Sequence, residues 1–140
     1  MWHSLQNHPR GCADHIAYLD GADGEEPSAG LVQGIDGNLY GTTFLGGTES
    51  RLCNTNSRGC GTVFKITTGG TLTTLLFFDG GNGGAPSGLI QGTDGNFYGT
   101  TQGGGVGSNC ENGCGTVFRV SPSGTLTTLH SFNATDGAFP

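Results

Sequence analysis

The chain has 140 residues, 29 of them Gly, with 11% charged residues and a formal net charge of −6. So much Gly argues against long helices, because Gly costs about 1 kcal/mol against Ala in a helix interior. With only five Lys and Arg the chain lacks the cationic footprint that nucleic acid or an anionic membrane surface requires, and no apolar run approaches the ~20 residues of a membrane span.

The chain opens with "MWHSLQNHPRGCADH", which holds three of the four His, the only Trp and the only Met. It carries no apolar signal-peptide stretch. From Ala17 the character changes to Gly/Thr-rich and acidic. Residues 17–26 are expected to be the last strand and corner of a preceding repeat. A full unit then runs from Pro27 to Ala85 and a second from Pro86 to Phe139, with Pro140 opening a third. The repetition is direct: "PSAGLVQGIDGNLYGTT" returns as "PSGLIQGTDGNFYGTT", and "GCGTVFKITTGGTLTTLLFF" as "GCGTVFRVSPSGTLTTLHSF".

Each unit reads as four strands. In the first unit these are "GLVQGI", "NLYGTT", "GTVFKIT" and "TLTTLLFF". Asp36-Gly37-Asn38 turns the first strand into the second, because Gly and Asx tolerate the positive φ of a tight hairpin. A variable Gly-rich loop precedes the third strand, and Thr-Gly-Gly or Pro-Ser-Gly leads to the fourth. Four short antiparallel strands per unit predict an all-β, β-propeller-like fold: two four-stranded antiparallel blades plus a closing strand from the preceding repeat, an incomplete propeller. A β-solenoid and an open sandwich are the alternatives.

The blocks "DGNLYGTT", "GCGTVFKIT" and "GTLTTLLFFDG", each recurring in the second unit, resemble the GloVer tandem-repeat family of bacterial proteins over Ala17 to Pro140. The resemblance implies a secreted or surface-displayed array of propeller-like repeats and carries no catalytic residues. Two units cannot close a ring, since propellers need at least about four blades. The chain is therefore expected to be a fragment of a longer repeat protein or to self-associate through open blade faces.

Aligned without gaps, the opening "MWHSLQNH" falls opposite "CGTVFKIT". Codons for the latter, TGT GGC ACA GTC TTC AAA ATC ACC, preceded by A and read one base early, give Met-Trp-His-Ser-Leu-Gln-Asn-His. "GCADHI" read one base later gives Val-Leu-Thr-Thr-Leu. Residues 1–16 are thus read as a frameshifted, non-native segment. If no single-base change in the source DNA restores the repeat upstream of Ala17, that reading is wrong. It also accounts for Cys12, His15, His3 and His8, whose spacing imitates a zinc site.

The other four Cys form two local pairs, Cys53 with Cys60 and Cys110 with Cys114, each before a third strand. Disulfides that clamp the variable loops are expected there, with a shared zinc site or free thiols as rivals. They imply the cell exterior or surface, or the periplasm. The corners "DGADGEEP", "DGGNGGAP" and "NATDGAFP" offer Asp20, Asp23, Asp79, Asn82, Asn133 and Asp136 as calcium candidates. The same residues are turn formers, and no cofactor is otherwise expected. Asp36 and Asp94 recur as a carboxylate pair but sit in the hairpin signature. Tyr40 and Tyr98 read as packing rather than as a ligand platform.

The function expected from the sequence is a non-enzymatic extracellular repeat scaffold for binding or adhesion. Its partners would be further repeats of the same kind and carbohydrate, not nucleic acid or the membrane interior. The alternative is a carbohydrate-active propeller enzyme with its active site in other repeats.

Overall fold

The computed structural model describes residues 19–27, 29–47, 58–107 and 109–140. The frameshift reading of residues 1–16 and the Cys53 half of the first Cys pair fall outside them. Every element among them is a strand: β1 Val32–Gln33, β2 Leu39–Thr43, β3 Thr62–Ile66, β4 Leu72–Phe77, β5 Gly84–Gln91, β6 Phe97–Gly103, β7 Thr116–Val120 and β8 Leu126–Ser131. They form two antiparallel meanders of four, β1-β2-β3-β4 and β5-β6-β7-β8. β1 to β4 fall within the first expected unit (27–85) and β5 to β8 make the second sheet, with β5 starting at Gly84, two residues ahead of the expected second unit (86–139). The two sheets do not join into a closed ring. Of the expected closing strand, residues 19–26 contribute only the isolated bridge from Glu25 to Leu45.

The units share their register. Tyr40 opposes Lys65 as Tyr98 opposes Arg119, and a bulge falls between Val63 and Phe64 as it does between Val117 and Phe118. The first strands differ. Only two residues pair in β1, whereas β5 extends back to Gly84, which pairs with Gly103. Pro86 is tolerated within β5 because that strand lies at a sheet edge and need not donate on its outer side.

Strand pleating sends alternate side chains to opposite faces, and this sorts each sheet into two surfaces. One face of unit 1 carries Tyr40 and Val63, and it packs on the face of unit 2 that carries Leu89, Phe97, Phe118 and Val120. The Tyr40 ring lies 4.1 Å from that of Phe97, tilted by 33°, and Phe78 meets Phe118 edge-on at 5.2 Å. Such aromatic pairs contribute about 0.5–1.5 kcal/mol beyond the area they bury. Val32, Leu75 and Leu76 border the same cluster. The turn before β8 closes the contact: a Cβ at Gly124 would sit 2.5 Å from the Leu75 carbonyl oxygen of the other sheet. On the opposite face of unit 1, Phe64 and Ile66 are also buried.

Two buried hydroxyl pairs tie the second strand to the third. Thr43 Oγ1 lies 2.8 Å from Thr62 Oγ1 and also accepts the Thr62 N–H; Thr101 and Thr116 repeat both bonds. A buried hydroxyl needs a partner, and each Thr supplies it to the other.

Candidate functional site: clamped loops, Asx corners and an open face

Three kinds of feature stand on this scaffold. The first is the hairpin turn of each unit. In "DGNLY", Asp36 Oδ1 accepts the Asn38 N–H at 3.0 Å while Oδ2 accepts the Tyr40 hydroxyl at 2.6 Å. Asp94, Asn96 and Tyr98 reproduce both bonds. The Tyr40 hydroxyl holds the Asp36 carboxyl below the usual carboxylate range. Burial, then Asp36, pushes the Tyr40 phenol up to about 12. Asp94 is lowered chiefly by the Tyr98 hydroxyl, and Tyr98 is raised chiefly by Asp94. The sequence pointed to the turn but not to the Tyr–Asp bond; the four-residue spacing, repeated twice, was its only trace.

The second feature is the corner. Asp20 N–H donates to Asp23 Oδ1 and Asp23 N–H returns to Asp20 Oδ1, at 2.9 and 3.3 Å. Asp79 and Asn82 exchange the same two bonds, both 2.9 Å, and Asn133 and Asp136 exchange them at 3.0 and 3.3 Å. The six calcium candidates therefore stand two to a corner, each with an oxygen on its partner's backbone. Among the described residues no three His, Cys, Asp or Glu gather closely enough to hold a metal. Burial raises the Asp23 carboxyl, opposed by the hydrogen bond it accepts from the Asp20 N–H and helped by the Asp20 side chain beside it. The Asn133 backbone N–H and then His130 lower Asp136, which lies 2.8 Å from His130 Nε2.

The third feature is the variable loop between the second and third strands. In unit 2, Cys110 and Cys114 form a disulfide across its base. Asn109 Nδ2 donates to the Asn133 carbonyl at 2.7 Å, docking the loop on the corner. In unit 1, Cys60 is disulfide-bonded, and Arg58 reaches Glu25 and Glu26, both at 3.2 Å, in an exposed cluster.

A cleft of about 620 Å³ runs beside β1 and β5, between residues 29–32 of unit 1 and 87–90 of unit 2. It continues onto the outer face of unit 2 at Tyr98, Thr100 and Val117. Among the described residues, Tyr98 is the one ionisable group in its lining.

The residue-for-residue return of turn, Thr pair, bulge and corner marks one structural unit used twice. The family profile of the Gloeobacter/Verrucomicrobia repeat matches residues 8–140. The chain belongs to this family. The match confirms the repeat resemblance drawn from the three sequence blocks and reaches back to residue 8 of the opening stretch. Comparison with curated proteins finds no match. For this Gloeobacter/Verrucomicrobia repeat chain, no helix among the described residues is long and apolar enough to cross a membrane.

Proposed function

We propose that this chain is a non-enzymatic repeat scaffold of propeller-like blades, working outside the cell in binding or adhesion. The observation that carries the reading is the Cys110–Cys114 disulfide at the base of the variable loop. The framework residues repeat between the units, while "FLGGTESRLCNTNSRG" and "QGGGVGSNCENG" diverge. Divergent loops on a rigid scaffold are where recognition concentrates, and disulfides persist in oxidising compartments. A polar Gly/Asn/Thr rim suits sugars or surface polymers. Glycoside hydrolysis needs two carboxyl groups about the scissile bond. Among the described residues the cleft has none in its lining, and Asp36 and Asp94 are each engaged with their own turn.

The test is an array of glycans and polysaccharides probed with the intact chain, with calcium and with chelator. Retention that falls when Glu111 and Asn112 in the clamped loop are changed to Ala supports the proposal. Absence of retention, retention indifferent to that change, or release of cleaved sugar counts against it.

A further inference from the structure

We propose that the outer face of unit 2 is a docking surface for a further unit of the same pattern, which seats its own Leu-Phe-Phe-Val face there and is joined through Pro140. The contact between units 1 and 2 is the template. Tyr40 on unit 1 is 1% exposed against Phe97, and Val32 and Leu75 pack beside it. Their counterparts on unit 2 are Tyr98, Ile90 and Leu129. Ile90 is 68% exposed and Leu129 49%, and Tyr98 lines the open cleft. The same surface is thus closed on one unit and open on the other.

The chain already leaves unit 2 as it leaves unit 1. Ala85 N–H donates to the Cys60 carbonyl at 2.8 Å, and Phe139 N–H donates to the Cys114 carbonyl at 2.8 Å. The Pro86 ring lies over Gly61, where a Cβ would meet its Cδ at 2.6 Å; Pro140 lies over Gly115 in the same way, at 2.7 Å. Ala85 and Phe139 share a left-handed backbone, with φ of 55° and 53°. A chain continuing from Pro140 in this geometry would start its first strand beside β5, as β5 starts beside β1. Gln91 of unit 2 accepts the Ile35 N–H of unit 1 at 2.9 Å, and Thr93 stands where Ile35 stands to meet the Gln of the incoming unit.

A second copy of this chain is a poorer occupant. Its unit 2 spends the Leu-Phe-Phe-Val face on its own unit 1, and the matching face of its unit 1 is closed over Phe64 and Ile66. Among the unit 1 residues of the cluster, the one replaced by a polar residue in unit 2 is Leu76, by His130, which is held to Asp136 at the rim.

The experiment compares the 140-residue chain with one in which residues 87–140 are repeated after Pro140. Tyrosine rings are titrated in alkali by NMR, and both chains are melted with and without Ile90→Glu. The proposal expects Tyr98 to titrate higher in the extended chain than in the 140-residue chain, moving toward the behaviour of the covered Tyr40, and a single melting transition. Ile90→Glu should return Tyr98 to its parent behaviour in the extended chain and leave the melting of the 140-residue chain within about 2 °C, as an exposed substitution does. Three results overturn it: Tyr98 titrating alike in both chains, an added unit that stays unfolded, or a concentration-dependent Tyr98 shift in the 140-residue chain, which would make a second copy the occupant.

Discussion

Tyr40→Phe removes one hydroxyl and little volume, so it isolates the bond to Asp36. Hydrogen bonds to charged groups contribute about 1.5–3 kcal/mol. The donor is buried but the acceptor is exposed, which places the expected loss near the lower end, about 1–2 kcal/mol. For a chain of this size each kcal/mol moves the melting temperature by roughly 4 °C, giving a drop of about 4–8 °C. The pH dependence follows from the two shifts. Asp36 is lowered, so its stabilisation is complete above the ordinary 3.8 and is lost as pH falls through the folded value. Tyr40 is raised from 10.0 to about 12, so its share is complete below 10 and is lost as pH rises between those values. Denaturant titrations across pH should therefore show the widest gap between wild type and variant at about pH 5 to 9, narrowing at both ends. Tyr98→Phe, in the half-buried counterpart, should cost less. A gap independent of pH, or equal losses at the two tyrosines, would refute the reasoning.

Gly124→Ala and Gly37→Ala form a matched pair. Both positions have positive φ, but only at Gly124 does a Cβ strike the other sheet. Gly37→Ala should cost about 1–2 kcal/mol in backbone strain, and Gly124→Ala clearly more in the same chemical melt. Ala85→Gly should leave stability unchanged or raise it by up to about 1 kcal/mol, because the native φ of 55° favours Gly; a loss like that at an ordinary strand position contradicts the left-handed assignment. Reducing the Cys110–Cys114 disulfide, which closes a ring of separation four, should cost at most about 2 kcal/mol by loop-closure entropy. Thermal melts of the Cys110→Ser, Cys114→Ser variant check this.

The strands were legible because their signals are local. Repetition marked the unit, and Asp-Gly-Asn marked the hairpins. Their ends were less so: "GLVQGI" shrank to Val32–Gln33, since Gly34 turns away to accept the Gly37 N–H on its carbonyl, while β5 grew because the corner before it pairs with β6. The corners were seen as acidic, and composition alone could not separate an ion site from a pair of Asx side chains bonding each other's backbone. The Thr43–Thr62 and Thr101–Thr116 pairs went unseen, because Thr in a strand is ordinary and only register brings the two hydroxyls together. Which face of one unit meets which face of the next was likewise invisible, since both faces are apolar. Packing decides it, through the Gly124–Leu75 approach and the Tyr40–Phe97 stack.

The central claim is that two like sheets stack with the tyrosine side of the first on the phenylalanine side of the second. Cross-relaxation between aromatic protons in solution tests it most directly. Tyr40 should give strong cross-peaks to Phe97, at a centroid distance of 4.1 Å, and Phe78 to Phe118, at 5.2 Å. Ring contacts confined within each unit, with none between 27–85 and 86–139, would contradict the account.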